Sequence, residues 1–181
     1  MPAPTPSQTV GPFYGYALPF AGGGDIAPAG HPDTVTVHGY VRDGNGDAVP
    51  DALLELWQPA GRPGSLRRNG VDFTGFGRVA TDADGRWVVR TLPPRAAAPY
   101  LSVCVFARGL MHHLFTRAYV GDAGADALPA AVPEERRSTL IAVPDGERTY
   151  RFDIHLQGEK ETVFFDFHDF GDFRGVRDLR G

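Results

Sequence analysis

Histidines, one cysteine and an arginine that ends an apolar run are the residues of this sequence whose types could do chemistry. His38 and His155 fall on the polar faces of strand-like stretches, which suits solvent-facing or interface positions. His112 and His113 are adjacent; on a strand they point to opposite faces and cannot both bind one metal ion. A His-x-His pair on a strand would be a strong metal signal, and the sequence has none. Neither a G-x-S-x-G nucleophile elbow nor a phosphate-cradling G-x-x-x-x-G-K-[ST] loop occurs. Cys104, the sole cysteine, sits inside "LSVCVF" and reads as a buried small hydrophobe. Read from these residues alone, the chain shows no catalytic constellation.

Arg108 is the charge that stands out. It follows the apolar run "LSVCVFA" and precedes Gly109, so a guanidinium sits at the rim of what should be a central strand. Two readings stay open: a structural arginine that snorkels to water or pairs with a loop carboxylate, and a fork that donates two parallel hydrogen bonds to a ligand carboxylate. A second stretch asks for a function too. "TPSQTVGPFYG", residues 5–15, has no charge; Pro6 and Pro12 forbid a helix through it, and Gly11 and Gly15 permit positive φ or close backbone approach. An extended arm is expected, with Phe13 and Tyr14 as apolar area to bury on some surface.

The elements that must position these residues are short strands. Gly 23 and Pro 16 in 181 residues punctuate apolar runs rich in Val, Phe, Leu and Tyr, leaving little room for long helices. "TVTVHGYV" alternates, with Val35, Val37, Gly39 and Val41 on one face; "LLELWQ", "GRWVVRTL", "YLSVCVFARG", "LFTRAYV", "RTYRFDIHLQG" and "ETVFFDF" continue the pattern between turn clusters. Residues 59–77 read as loop, and a short helix fits around "LPAAVPEERRS". Seven or eight such strands predict an all-β fold, an antiparallel sandwich with long loops and an extended N-terminal arm. The expected organisation is arm and loop over 1–33, one β-sandwich domain over 34–167, and a charged tail over 168–181. A net charge of −4 with interspersed signs gives no basic stripe for nucleic acid and no polybasic membrane anchor. The start "MPAPTPSQ" has neither the positive nor the apolar region of a secretory signal, so a cytoplasmic location is expected.

Several stretches in order, "TPSQTVGPF", "VHGYVRDGNGDAVPDALLELWQ", "GFGRVATDADGRW", "VFARGLMHHLFTRAYV", "RRSTLIA" and "YRFDIHLQGEKETVFFDF", carry a resemblance over nearly the whole chain, from Thr5 to Phe167. The sequence resembles the intradiol ring-cleavage dioxygenases, and within them the α subunits of protocatechuate 3,4-dioxygenase, to which "FARG" and the closing "GEKETVFFDF" point in particular. The resemblance implies a prealbumin-like sandwich paired with a homologous β subunit in a higher hetero-oligomer. It also implies Fe³⁺ held on the β subunit by two tyrosinates and two histidines. On this chain the matching places hold Ser65, no tyrosine in "LPPRAAAP", Tyr100 and Ser102, so no metal ligand is expected here. Carried over residue by residue, Thr9, Gly11, Pro12, Phe13 and Arg108 would line the substrate pocket of the partner, Phe13 standing where the family often has Tyr. The implied reaction is O₂-dependent cleavage of protocatechuate to 3-carboxy-cis,cis-muconate. Two competing readings are a self-sufficient dioxygenase with its own iron and a non-enzymatic sandwich that binds or scaffolds.

Overall fold

The computed structural model describes residues 11, 13–58, 67–68, 71–72, 75–121 and 131–166. One helical turn, α1 (Tyr14–Ala17), precedes eleven strands: β1 (Val35–Arg42), β2 (Leu53–Trp57), β3 (Arg67–Arg68), β4 (Val71–Asp72), β5 (Phe76–Ala80), β6 (Arg86–Thr91), β7 (Tyr100–Phe106), β8 (Leu114–Val120), β9 (Ile141–Pro144), β10 (Thr149–Arg151) and β11 (Ile154–His155). A 3-10 helix, Glu134–Leu140, leads into β9. Nine strands form one sheet, in which β5, β2, β7, β8, β9 and β10 follow one another to β1, with β6 on the far side of β1 and β11 extending the line of β10. β3 and β4 pair apart from it.

Alternation builds the core. β1 buries Val35, Val37, Gly39 and Val41 and turns Thr36, His38 and Tyr40 the other way. β7 lies between β2 and β8 and buries Leu101, Val103 and Val105. These meet Leu54, Leu56, Trp87, Phe152, Ile154 and Phe164 in the main cluster. Tyr119, Val132, Leu140, Val163 and Phe165 form a second, smaller cluster under the 3-10 helix, with Tyr100 packed against it.

The sheet curls until its two terminal strands, β5 and β6, approach each other, and the Gly-Gly-Gly loop fills the seam between them. The Gly23 carbonyl accepts from the Arg78 N–H at 3.0 Å on β5, and the Gly24 carbonyl accepts from the Arg90 N–H at 2.7 Å on β6. A Cβ on Gly23 would lie 2.1 Å from the Arg78 carbonyl oxygen, and one on Gly24 2.7 Å from that of Val88. Only glycine lets backbone run this close to backbone on both sides.

The all-β expectation holds, with strands and turns falling largely where the alternation put them. Four differences have physical reasons. The sheet is mixed, because β1 pairs in parallel with β10 and β11, and β8 with β9. A helical turn begins at Tyr14 inside the expected arm, with Phe13, in extended φ and ψ, as its N-cap. The expected loop over 59–77 gives way to β5 at Phe76. "ETVFFDF" is largely not strand: Glu161 to Phe165 are all buried, without alternation, and only Phe165 bridges to Phe115.

Candidate functional site

β7 ends at Phe106, and the turn beyond it pushes Arg108 out until its side chain is 80% exposed. Its Nε pairs with Oδ2 of Asp51, on the turn that leads into β2. The same Asp51 offers its carbonyl to the Tyr14 hydroxyl at 3.2 Å, and the Tyr14 ring rests on Phe106 with centroids 6.4 Å apart. Burial pushes the Tyr14 phenol up, Asp51 adds to this, and Arg108 opposes it, so Tyr14 is a protonated donor at neutral pH. Further along, the Arg78 guanidinium holds Glu55 through Nε and Nη2 at 2.8 and 2.6 Å and donates to the Leu18 carbonyl at 3.2 Å. The arm is thereby fastened at both ends of α1 to the outer face of the sheet.

These contacts enclose an open groove of about 580 Å³ lined by Phe13, Tyr14, Tyr16, Pro50, Asp51 and Arg108, among others. The structure therefore brings together Phe13 and Arg108, two residues 95 positions apart that the sequence singled out. Phe13 and Tyr16 stay largely exposed at its edge. Gly11 is exposed at φ +71°, the left-handed region its type was expected to serve, and nothing lies within 4 Å of where a Cβ would be. Thr9 and Pro12 lie outside the described residues, as do Ser65 and the tail from residue 168. On the other side of Arg108 a second groove of about 510 Å³ runs past Met111, His112, Asp43 and Gln157.

Asp51 is a member of the groove to which sequence reasoning gave no role. Asp51 ends the turn cluster "DGNGDAVPDA", where aspartates serve turn geometry so often that one with another role carries no separate signal. His38 and His113 take framework positions. His38 Nε2 pairs with Asp145 at 2.9 Å. His113 stacks between Phe106 and Phe115. His112 and His113 lie in a bend before β8 and not on a strand. Burial pulls the His155 imidazole below its usual range. Cys104, expected to be buried, is half-exposed on the outer face of β7, because that strand buries one face only. Burial and Glu55 beside it push its thiol up to about 12.

At Tyr100 and Ser102, two of the positions matched to the iron ligands, the surroundings are cationic. Tyr100 stacks on Tyr119 with centroids 5.3 Å apart, and the Arg117 guanidinium lies 4.0 Å over the Tyr100 ring. A cation already occupies the face of that ring, and Ser102 sits directly across from Arg117 in the ladder. Among the described residues no group of three or more His, Cys, Asp or Glu could hold a metal ion.

Solved structures similar to this chain include dioxygenases. The dioxygenase domain of a dioxygenase–carbohydrate-binding fusion from Streptomyces sp. SirexAA-E superposes with a TM-score of 0.58 at 24% identity, covering 86% of this chain and 99% of that one. Hydroxyquinol 1,2-dioxygenase from Pseudomonas putida DLL-E4 gives 0.55 at 20% identity over 83% and 65%. The fold is thus that of the intradiol dioxygenases. No protein-family profile matches the chain. Over 90% of its length, however, the chain is 44% identical to the protocatechuate 3,4-dioxygenase alpha chain of Burkholderia cepacia and 38% identical to that of Pseudomonas putida, spanning 96% of each. It belongs to the family of protocatechuate 3,4-dioxygenase alpha chains and is a dioxygenase subunit.

Proposed function

We propose that this chain is the non-iron-binding α subunit of a protocatechuate 3,4-dioxygenase, completing the substrate pocket of an iron-bearing β subunit. The observation that carries this reading is the groove in which the arm, through Phe13, meets the exposed guanidinium of Arg108, open on the side where a partner would close it. The names of the relatives at 44% and 38% identity supply the substrate class, 3,4-dihydroxybenzoate, and the α role. The oxygen chemistry, giving 3-carboxy-cis,cis-muconate, belongs to the Fe³⁺ that the β subunit would hold. This chain's residues bind and exclude: Arg108 donates to the ring carboxylate, Phe13 forms apolar wall, and Thr9, Gly11 and Pro12 bring the arm backbone close to the substrate. The reading includes a cytoplasmic location, a higher hetero-oligomer of αβ units and the prealbumin-like sandwich of that family. No helix among the described residues is long and apolar enough to cross a membrane.

The test is reconstitution. Purified alone, the chain is expected to hold no stoichiometric iron, to show no visible tyrosinate-to-iron absorption and to leave protocatechuate untouched. Assembled with its β subunit, it should raise turnover well above that of β alone. One iron and activity in the isolated chain would mark a self-sufficient dioxygenase; equal turnover with and without this chain would leave it a scaffold.

A further inference from the structure

A guanidinium has two edges that can take a carboxylate through parallel hydrogen bonds, Nε with Nη2 and Nη1 with Nη2. Asp51 occupies Nε of Arg108. We propose that Asp51 is a positioning residue for Arg108, holding one edge of its guanidinium so that the Nη1–Nη2 edge faces the groove and the substrate carboxylate. The inference rests on the substrate role proposed above for Arg108.

Asp51 is built to hold and Arg108 to be held. The backbone of Asp51 is fixed by the Tyr14 hydroxyl on its carbonyl, and the next residue, Ala52, is fully buried. The Ala52 N–H donates to the Thr81 hydroxyl at 3.0 Å, and the Thr81 N–H donates back to the Ala52 carbonyl at 2.9 Å. Arg108 stands on an exposed turn with a long side chain, and Asp51 is its only ion-pair partner among the described residues. Left alone, that side chain would sample many rotamers, and orienting it would fall on the substrate. Asp51 also brings a negative charge near the incoming carboxylate. The Arg108 guanidinium lies between the two carboxylates and attracts both, which offsets this repulsion, so the gain from orientation should favour binding.

The experiment is a double-mutant cycle on the assembled αβ enzyme with Asp51→Asn, Arg108→Ala and both together. Protocatechuate and catechol, which lacks the carboxylate, are the two substrates. Arg108→Ala should raise KM for protocatechuate by about tenfold or more, the loss expected of one charge-assisted contact. Asp51→Asn should raise it about threefold to tenfold with kcat and melting temperature nearly unchanged, and catechol should respond to neither substitution. The double variant should be no worse than Arg108→Ala alone, and Asp51→Glu should recover part of the loss. A lower KM for protocatechuate in Asp51→Asn would show Asp51 competing with substrate and overturn the proposal. So would additive losses in the double variant, or a selective Arg108→Ala defect with a silent Asp51→Asn. Equal losses for both substrates in Arg108→Ala would instead overturn the substrate role of Arg108 and, with it, the proposal.

Discussion

Two glycine-bearing segments near the start of the chain do opposite things. At Gly23 and Gly24 backbone from β5 and β6 hems the chain in, and a Cβ would collide with carbonyl oxygens at 2.1 and 2.7 Å. At Gly11 and Gly15 nothing lies within 4 Å of a Cβ. Tyr14 and Leu18 are bonded between Gly11 and the seam, so the chain passes from open arm to crowded seam within a dozen residues. The same residue type thus serves packing in one place and reach in the other. Substitutions at the seam should act on stability, and those at the arm on the work of the assembled enzyme.

The largest effect is expected at the crowded seam. Gly23→Ala should destabilise the fold by about 3 kcal/mol or more, since neither backbone can yield without losing a ladder bond. Urea unfolding checks it, and a wild-type midpoint would mean that the seam does not hold the sheet. At the open end, deleting residues 1–12 should leave the unfolding midpoint within error but lower protocatechuate turnover of the αβ enzyme by about tenfold, comparable to one well-placed contact. Unchanged turnover would remove the arm from the pocket.

Tyr14 sharpens the boundary between the two. Tyr14→Phe keeps the ring on Phe106 but loses the bond to the Asp51 carbonyl, which should cost about 0.5–1.5 kcal/mol of local stability. Hydrogen exchange at Tyr16 to Leu18 should quicken, while the seam amides of Arg78 and Arg90 keep their protection. The smallest effect concerns Cys104, which lies across from Glu55 in the ladder, beneath the Arg78–Glu55 pair that holds Leu18. Its folded-state thiol, pushed from 9.0 to about 12, keeps its proton where the unfolded thiol has lost it. This stabilisation is complete below about pH 9 and fades as pH rises toward 12, so native labelling by a thiol reagent at pH 8 should be slow. Fast labelling of the native chain would show that the arm's anchorage opens readily.

Where side chains alternate, as in β1, the sequence shows both strand and face, because a half-buried strand has to alternate. "LSVCVF" misleads about Cys104 for a related reason: Ser102, Cys104 and Phe106 form an outer face apolar enough to pass for core. The parallel pairings of β1 with β10 and β8 with β9 leave no local mark, since they join segments far apart in the chain. The buried run from Glu161 to Phe165 is held by tertiary bonds, among them Thr116 Oγ1 to the Val163 carbonyl at 2.8 Å. At the candidate site, Arg108 betrays itself as a charge ending an apolar run. Asp51 does not, because its partner is brought to it only by the antiparallel pairing of β2 with β7, whose register sets Leu53 across from Phe106.

The seam also says something about the order of folding. β5 and β6 are neighbours in the chain, joined by a turn in which Gly85 bonds back to Asp82 at 2.9 Å, yet β5 adds to β2 and β6 to β1. Residues 22–24 can bridge them only after both strands have found those separate partners. Closure should therefore come after the rate-limiting barrier, and weakening it should steepen the escape from the native state while leaving the climb toward it nearly untouched. In chevron terms, Gly24→Ala should lift the unfolding limb and barely move the refolding limb, making Gly23 and Gly24 a latch on the lifetime of the fold.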